Sequence, residues 1–287
     1  MSLILEQLLN GLQFGMMLFL MASGLTLVVG IMNFINLAHG TLYMTGAFLA
    51  VTFQLLTGNY VLALGLAVIG TALVGLVIEV LVAQPLYQRD HLDQVLSTFG
   101  IILFLNELAR LVWGAAPLRM DVPAWLTGSV DLAGIGYPVY RLAIIAVSAL
   151  VAVGLHLVIT RTRIGMLIRA GATDRKMIEA LGVNIQLLYA LVFAAGAALA
   201  GLSGILAGPI FAVQTGMGDH ILILTLVVIV IGGIGSVHGA LVAALLVGVL
   251  DTVGRVTLPA GFGNVLIYVL MAMILFWRPR GLFPAHG

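Results

Sequence analysis

The chain is 287 residues long, 62% hydrophobic and only 8% charged, with a net charge of +1 and no cysteine. A soluble domain holds about 25% charged residues, so this composition belongs to an all-α polytopic helical bundle in a lipid bilayer, and it excludes disulfides, iron–sulfur clusters and thiolate zinc sites. The near-neutral charge leaves no footprint for nucleic acid.

A spanning helix takes about 20 mostly apolar residues. The first such run covers 8–30. Because the first basic residue is Arg89, this segment lacks a charged n-region and is expected to persist as a helix. Next comes "GIMNFINLAHG" (30–40), which sets Asn33, Asn36, His39 and Gly40 between apolar runs. Polar or irregular backbone at membrane depth survives only where protein or a watery cavity surrounds it. The segment therefore predicts a broken helix on a solute path, or alternatively asparagines that cap the next helix at the interface. Runs at 37–57, 60–83 and 94–113 follow. Glu79 falls near the inner end of its helix, where snorkelling or a helix partner suffices. Glu107 and Arg110 have the i, i+3 spacing of a pair. Trp113, Trp125, Tyr137 and Tyr140 edge the loop 114–138 and read as interfacial anchors.

After the run 139–160 comes "RTRIGMLIRAGATDRKMIEALGVNI" (161–185), with five of the twelve basic residues between Arg161 and Lys176. Short cytoplasmic loops are enriched in Lys and Arg, so this loop (161–186) is expected inside. Arg278 and Arg280 put the C-terminus inside too, and counting back five crossings puts the N-terminus outside. Within the loop, Thr173 suits an N-cap, Asp174 the first turn and Gly182 the C′ position, leaving about eight helical residues. Thr173, Met177 and Leu181 share a face with Ile178 beside them, while Arg175 and Glu179 are an i, i+4 pair. A helix this short is unstable alone; it either rests on the membrane surface or docks on another protein.

The run 187–212 carries Gly196, Ala200, Gly204 and Gly208 at every fourth position, a stripe that lets helices approach closely. Residues 220–250 are too many for one helix and are interrupted by "GGIGSVHG". Asp251 is expected near the outer surface. With a final run at 264–277, eight or nine crossings form a single domain over 1–287. The second interruption ends in His-Gly like the first, and transport folds built from two repeats carry paired helix breaks near the substrate path. Gly233, Gly235 and His238 thus join Asn33, Asn36, His39 and Gly40 as candidate pathway residues.

Several chemistries lack their residues. Gly233, Gly235 and Gly239 miss the dinucleotide fingerprint by one position. Lys176 is the sole lysine and follows no P-loop, so ATP cannot be bound by a Walker motif here. His39, His91, His156, His220, His238 and His286 are never paired at i, i+4, so no metal site is suggested. No catalytic set stands out, and an enzyme is not expected.

"NFINLAHGTLYMTGAF", the 161–185 loop, "GAALAGLSGILAGPI", "GGIGSVHGALVAALLVG" and "WRPRGLF" together resemble, in order, the LivH-type permeases of bacterial ABC importers for branched-chain amino acids and related small amides. The resemblance implies a homologous permease partner, as a different chain or a second copy, a periplasmic solute-binding protein, and two cytoplasmic ATPase subunits that use the ATP. No cofactor is implied for this chain itself. It also implies that Asp174, Arg175, Met177, Ile178, Glu179, Leu181 and Gly182 belong to an ATPase-coupling helix. The wider importer signature reads Glu-Ala-Ala-x-x-x-Gly; this chain departs from it with Glu179, Ala180, Leu181 and Gly182. For such a solute the charged head is the costly part of the crossing, and helix N-termini aimed into a cavity would receive its carboxylate without a fixed cation. The alternative is a self-sufficient secondary transporter or channel, which would need carboxylates or a charged ring in mid-span.

Overall fold

The computed structural model describes residues 2–132, 134–173, 175–259 and 262–283. Helices occupy each apolar run. They are α1 (Ser2–Met32), α2 (His39–Thr57), α3 (Tyr60–Ile78), α4 (Gln84–Leu86), α5 (His91–Trp113), α6 (Val139–Arg161), α7 (Arg163–Thr173), α8 (Arg175–Ala180), α9 (Ile185–Ala207), α10 (Met217–Gly232), α11 (Val237–Thr257) and α12 (Phe262–Trp277). A π turn, Glu79–Ala83, joins α3 to α4 without a break. Seven helical stretches are long and apolar enough to span a bilayer, and α10 and α12 supply two shorter apolar ones. The stretch 220–250 divides at Gly233–Ser236, where Ser236 caps α11 by accepting the Gly239 N–H at 3.1 Å. Asn59 and Asn184 cap α3 and α9 in the same way.

Two helices organise the bundle. α1 lies antiparallel to α11, with the backbone of Gly11 against Val249 and Gly15 against Ala244 and Leu245. α9 packs on α1, α2 and α3 together. Its small residues do this: Gly196 meets the Gly24 carbonyl, Gly201 meets Thr71, and Gly204 meets the Tyr43 backbone. In lipid there is no hydrophobic drive between helices, so close van der Waals approach through small residues carries the packing. α5 and α6 lie outside this core, with Leu103, Phe104, Leu150 and Val153 facing outward.

The segment after α5 holds a hairpin that the sequence pattern did not predict. Strands β1 (Ser129–Leu132) and β2 (Ile135–Pro138) pair antiparallel with Ser129 opposite Pro138. The two-residue period of β2 turns Ile135 and Tyr137 inward. Tyr137 is consequently buried rather than interfacial, and Tyr140, in the first turn of α6, is buried too. Tyr140 donates to the Leu206 carbonyl at 2.9 Å and meets the Tyr60 hydroxyl at 3.1 Å; a phenol with such partners is well placed inside a bundle. Trp113 donates to the Thr52 hydroxyl at 2.7 Å, and Trp125 alone of the four is exposed. The expected Glu107–Arg110 pair does not form; among the described residues the one ion pair joins Arg255 to Asp251 at 3.0 Å. Exposed pairs gain too little to fix two side chains.

Candidate functional site

The first helix break is deeper than an interfacial cap. α1 ends at Met32, Asn33 takes a left-handed conformation (φ 50°), and residues 33–38 run back into the bundle before α2 begins at His39. Asn tolerates that conformation better than any other residue with a Cβ. The re-entering backbone is held from α5: Ile35 N–H donates to Gln94 Oε1 at 3.3 Å and Leu37 N–H to Thr98 Oγ1 at 3.4 Å. His39 Nε2 lies 3.1 Å from the carbonyl of Met21. Met21 precedes the end of α1 by eleven residues, which is about 16 Å at 1.5 Å per residue. α2 therefore starts near mid-span. Its N-cap is Ala38, with no side-chain cap, so the asparagines do not serve as caps of α2.

The polar atoms brought to that depth are poorly satisfied. Asn36 is buried, and among the described residues neither its Oδ1 nor its Nδ2 has a hydrogen-bond partner. A carbonyl only accepts, so Nε2 of His39 donates to Met21, and His39 Nδ1 is left buried without a partner among the described residues. Each unsatisfied buried group costs about 1–3 kcal/mol. Asn33, by contrast, is exposed at the turn.

A second helix N-terminus reaches the same level from the other side. Gly216, in the connection that follows α9, donates its N–H to Asn106 Oδ1 at 3.1 Å, and Asn106 lies seven residues before the end of α5, about 10 Å along that helix. α10 then starts at Met217. Its Gly218 packs backbone to backbone on Gly40: a Cβ on Gly40 would lie 2.8 Å from the Gly218 carbonyl oxygen, and one on Gly218 would overlap the Gly40 carbonyl. The positive ends of two helix dipoles thus converge inside the bundle.

The 161–186 loop holds two helices where one was expected. α7 occupies its first half, and Thr173 ends α7 by donating to the Arg169 carbonyl at 3.1 Å instead of capping α8. Asp174 and the side chain of Arg175 lie outside the described residues. α8 ends at Gly182 (φ 84°), where Gly182 N–H donates to Glu179 and Val183 N–H to Ile178, the paired bonds of a Schellman motif. Met177, Glu179 and Leu181 are exposed; Ile178 is not. It sits near Gly171, among Ile31 of α1 and Leu188 of α9. Ile178, about 100° round the helix from Met177, is buried and does not join the outward face of Met177 and Leu181.

The family described as branched-chain amino acid transport system / permease component matches residues 7–275. The chain belongs to that permease family. It is 33% identical to the high-affinity branched-chain amino acid transport system permease protein BraD of Pseudomonas aeruginosa, over 97% of this chain and 95% of that one. It is 29% identical to the protein LivH of Escherichia coli, named likewise, over 97% and 94%. A probable LivH from Methanocaldococcus jannaschii is 25% identical over 93% and 88%. No solved structure matches.

The second interruption in this permease does not mirror the first. Gly30 and Gly235 touch, a Cβ on Gly30 falling 2.6 Å from the Gly235 Cα, so the two glycine-rich segments do meet at one end of the bundle. Gly233 (φ 103°) ends α10, and the "WRPRGLF" tail folds against it, Leu282 and Phe283 donating their N–H groups to the carbonyls of Ile231 and Gly232. His238, however, is exposed and contacts His156 at 2.8 Å, ring to ring across α11 and α6. Gly233 and Gly235 lie at the connection from α10 to α11, and His238 contacts His156 rather than His39. Asn106, Gly216 and Gly218 lie beside this candidate site and went unread in the sequence, since only the fold carries the second N-terminus to Gly40.

Proposed function

We propose that this chain is the membrane-spanning permease subunit of a bacterial ABC importer and translocates branched-chain amino acids or related small amides and carboxylates across the inner membrane. The near-full-length similarity to permeases named for branched-chain amino acids supports the solute class. One observation carries the mechanism: the Asn36 amide and His39 Nδ1, unpartnered among the described residues, lie where the N-termini of α2 and α10 meet at mid-span. Backbone N–H groups and the Asn36 amide suit a carboxylate, and neutral His39 offers Nδ1 as an acceptor to an ammonium. Asn33 and Gly40 shape the entry to that point. The N-terminus is placed outside and the C-terminus in the cytoplasm by the basic loop. A homologous permease, a periplasmic binding protein and two ATPases complete the importer, the ATPases meeting α8 through Met177 and Leu181.

A proton-driven carrier is the second reading, and one observation favours it: Glu79 is buried within a span. Energy supply separates the two. In proteoliposomes holding this chain with its partner permease, ATPases and binding protein, labelled leucine uptake should require ATP and persist without a proton gradient. Uptake by this chain alone, driven by a pH gradient, would establish the carrier instead.

A further inference from the structure

Neither Glu79 nor Tyr87 belongs to the proposed pathway, yet Tyr87 adjoins the re-entrant segment through Phe34 and Glu79 holds Tyr87. The Tyr87 hydroxyl donates to Glu79 Oε1 at 2.5 Å, and the carboxylate is almost fully buried with no basic partner among the described residues. Glu79 opens the π turn Glu79–Ala83, an irregularity often found where a helix serves a function. The Tyr87 ring stands edge-on to Phe34, with centroids 6.2 Å apart, and edge-on to Tyr189 at 5.2 Å. Phe34 also meets Phe193 at 6.4 Å and is buried. Phe34 is two residues from Asn36, between it and the turn at Asn33 where α1 ends. These rings therefore close the bundle between the mid-span site and the end that carries the coupling loop.

The closure is connected to that loop. Tyr189 donates to the Ile31 carbonyl at 3.3 Å. Ile31 and the neighbouring Leu188 converge with Ile178 of α8 around Gly171. A displacement of α8 thus bears on both walls that hold Tyr87 and Phe34, because packed interiors pass on a shift rather than absorbing it.

We infer that Glu79 is a positioning residue which, through its hydrogen bond, holds Tyr87 against Phe34 and so keeps a gate shut on the coupling-loop side of the transport site. This rests on the proposed pathway. Glu79 Oε1 accepts from the phenol in either protonation state of its carboxyl, so the role needs no cation. A proton carrier at Glu79 would instead depend on the carboxyl proton and not on the phenol.

The cysteine-free chain supplies the test. Asn36→Cys, in the assembled complex in membrane vesicles, is exposed to an impermeant thiol reagent from each face. With Glu79 and Tyr87 intact, labelling should be slow without ATP. Adding Tyr87→Phe keeps the ring and removes the donor, and should speed labelling from the coupling-loop face about tenfold, the factor expected for one buried hydrogen bond. Glu79→Gln, still an acceptor, should restore most of the protection lost in Glu79→Leu. Labelling unchanged from both faces in Tyr87→Phe and in Glu79→Leu would overturn the gate. The readout needs no particular solute, so it can fail while leucine uptake stands, and leucine uptake can fail while it stands.

Discussion

In the proposed pathway Asn36, His39, Gly40 and Gly218 act together, because each supplies what the others cannot. Asn36 and His39 bring unpaired polar atoms to mid-span, while the glycines let two helix starts come close enough to present backbone N–H groups beside them. Lipid offers no alternative partner to any of these groups. Gly218→Ala is the sharpest probe of that closeness, since its Cβ would overlap the Gly40 carbonyl. We expect it to part α2 from α10 at a cost of about 1–3 kcal/mol, the usual range for overpacking. The purified complex should melt lower and transport more slowly. Gly65→Ala, with no atom near its new Cβ, should leave both unchanged, as measured by thermal unfolding and by uptake.

At the scale of elements, α8, the proposed coupling helix, shows how much a linear pattern can give. Its Gly182 terminus was legible because few residues besides glycine fit a left-handed C′ position. The apolar set was only partly legible: Met177 and Leu181 face outward, but Ile178 is turned in towards α1 and α9, which a helix of six residues cannot reveal before its neighbours are placed. This divides two substitutions. Leu181→Asp should leave the permease folded yet abolish co-purification of the ATPases and uptake, because a charge desolvated in that contact costs several kcal/mol. Ile178→Asp should lower the melting temperature of the permease itself, since the charge would be buried without a partner. Equal ATPase recovery with wild type and Leu181→Asp would return α8 to a helix that merely rests on the membrane. The same limit explains β1 and β2, Tyr137 and Glu79. Hydropathy located every apolar helix, but not which polar or aromatic side chain on it turns inward.

For the whole molecule, the two glycine-rich interruptions were visible as departures from an apolar background, and the structure does join them through Gly30 and Gly235. Their shared His-Gly endings suggested equivalent histidines. Instead the deep helix start opposite α2 belongs to α10, announced in sequence only by Gly216 and Gly218 after a loop, while His238 meets His156. The core claim is that the solute's charged head passes between those helix starts. It is tested most directly by ATP-driven leucine uptake in the reconstituted importer carrying Asn36→Ala, His39→Ala or both, beside Asn59→Ala, which removes an exposed cap on α3 far from the site. Two or three lost hydrogen bonds at about 1 kcal/mol or more each should slow uptake at least about tenfold in the double variant, with ATPase assembly intact and Asn59→Ala near normal. Uptake by the double variant within about twofold of the unaltered importer, well short of that loss, would contradict the account.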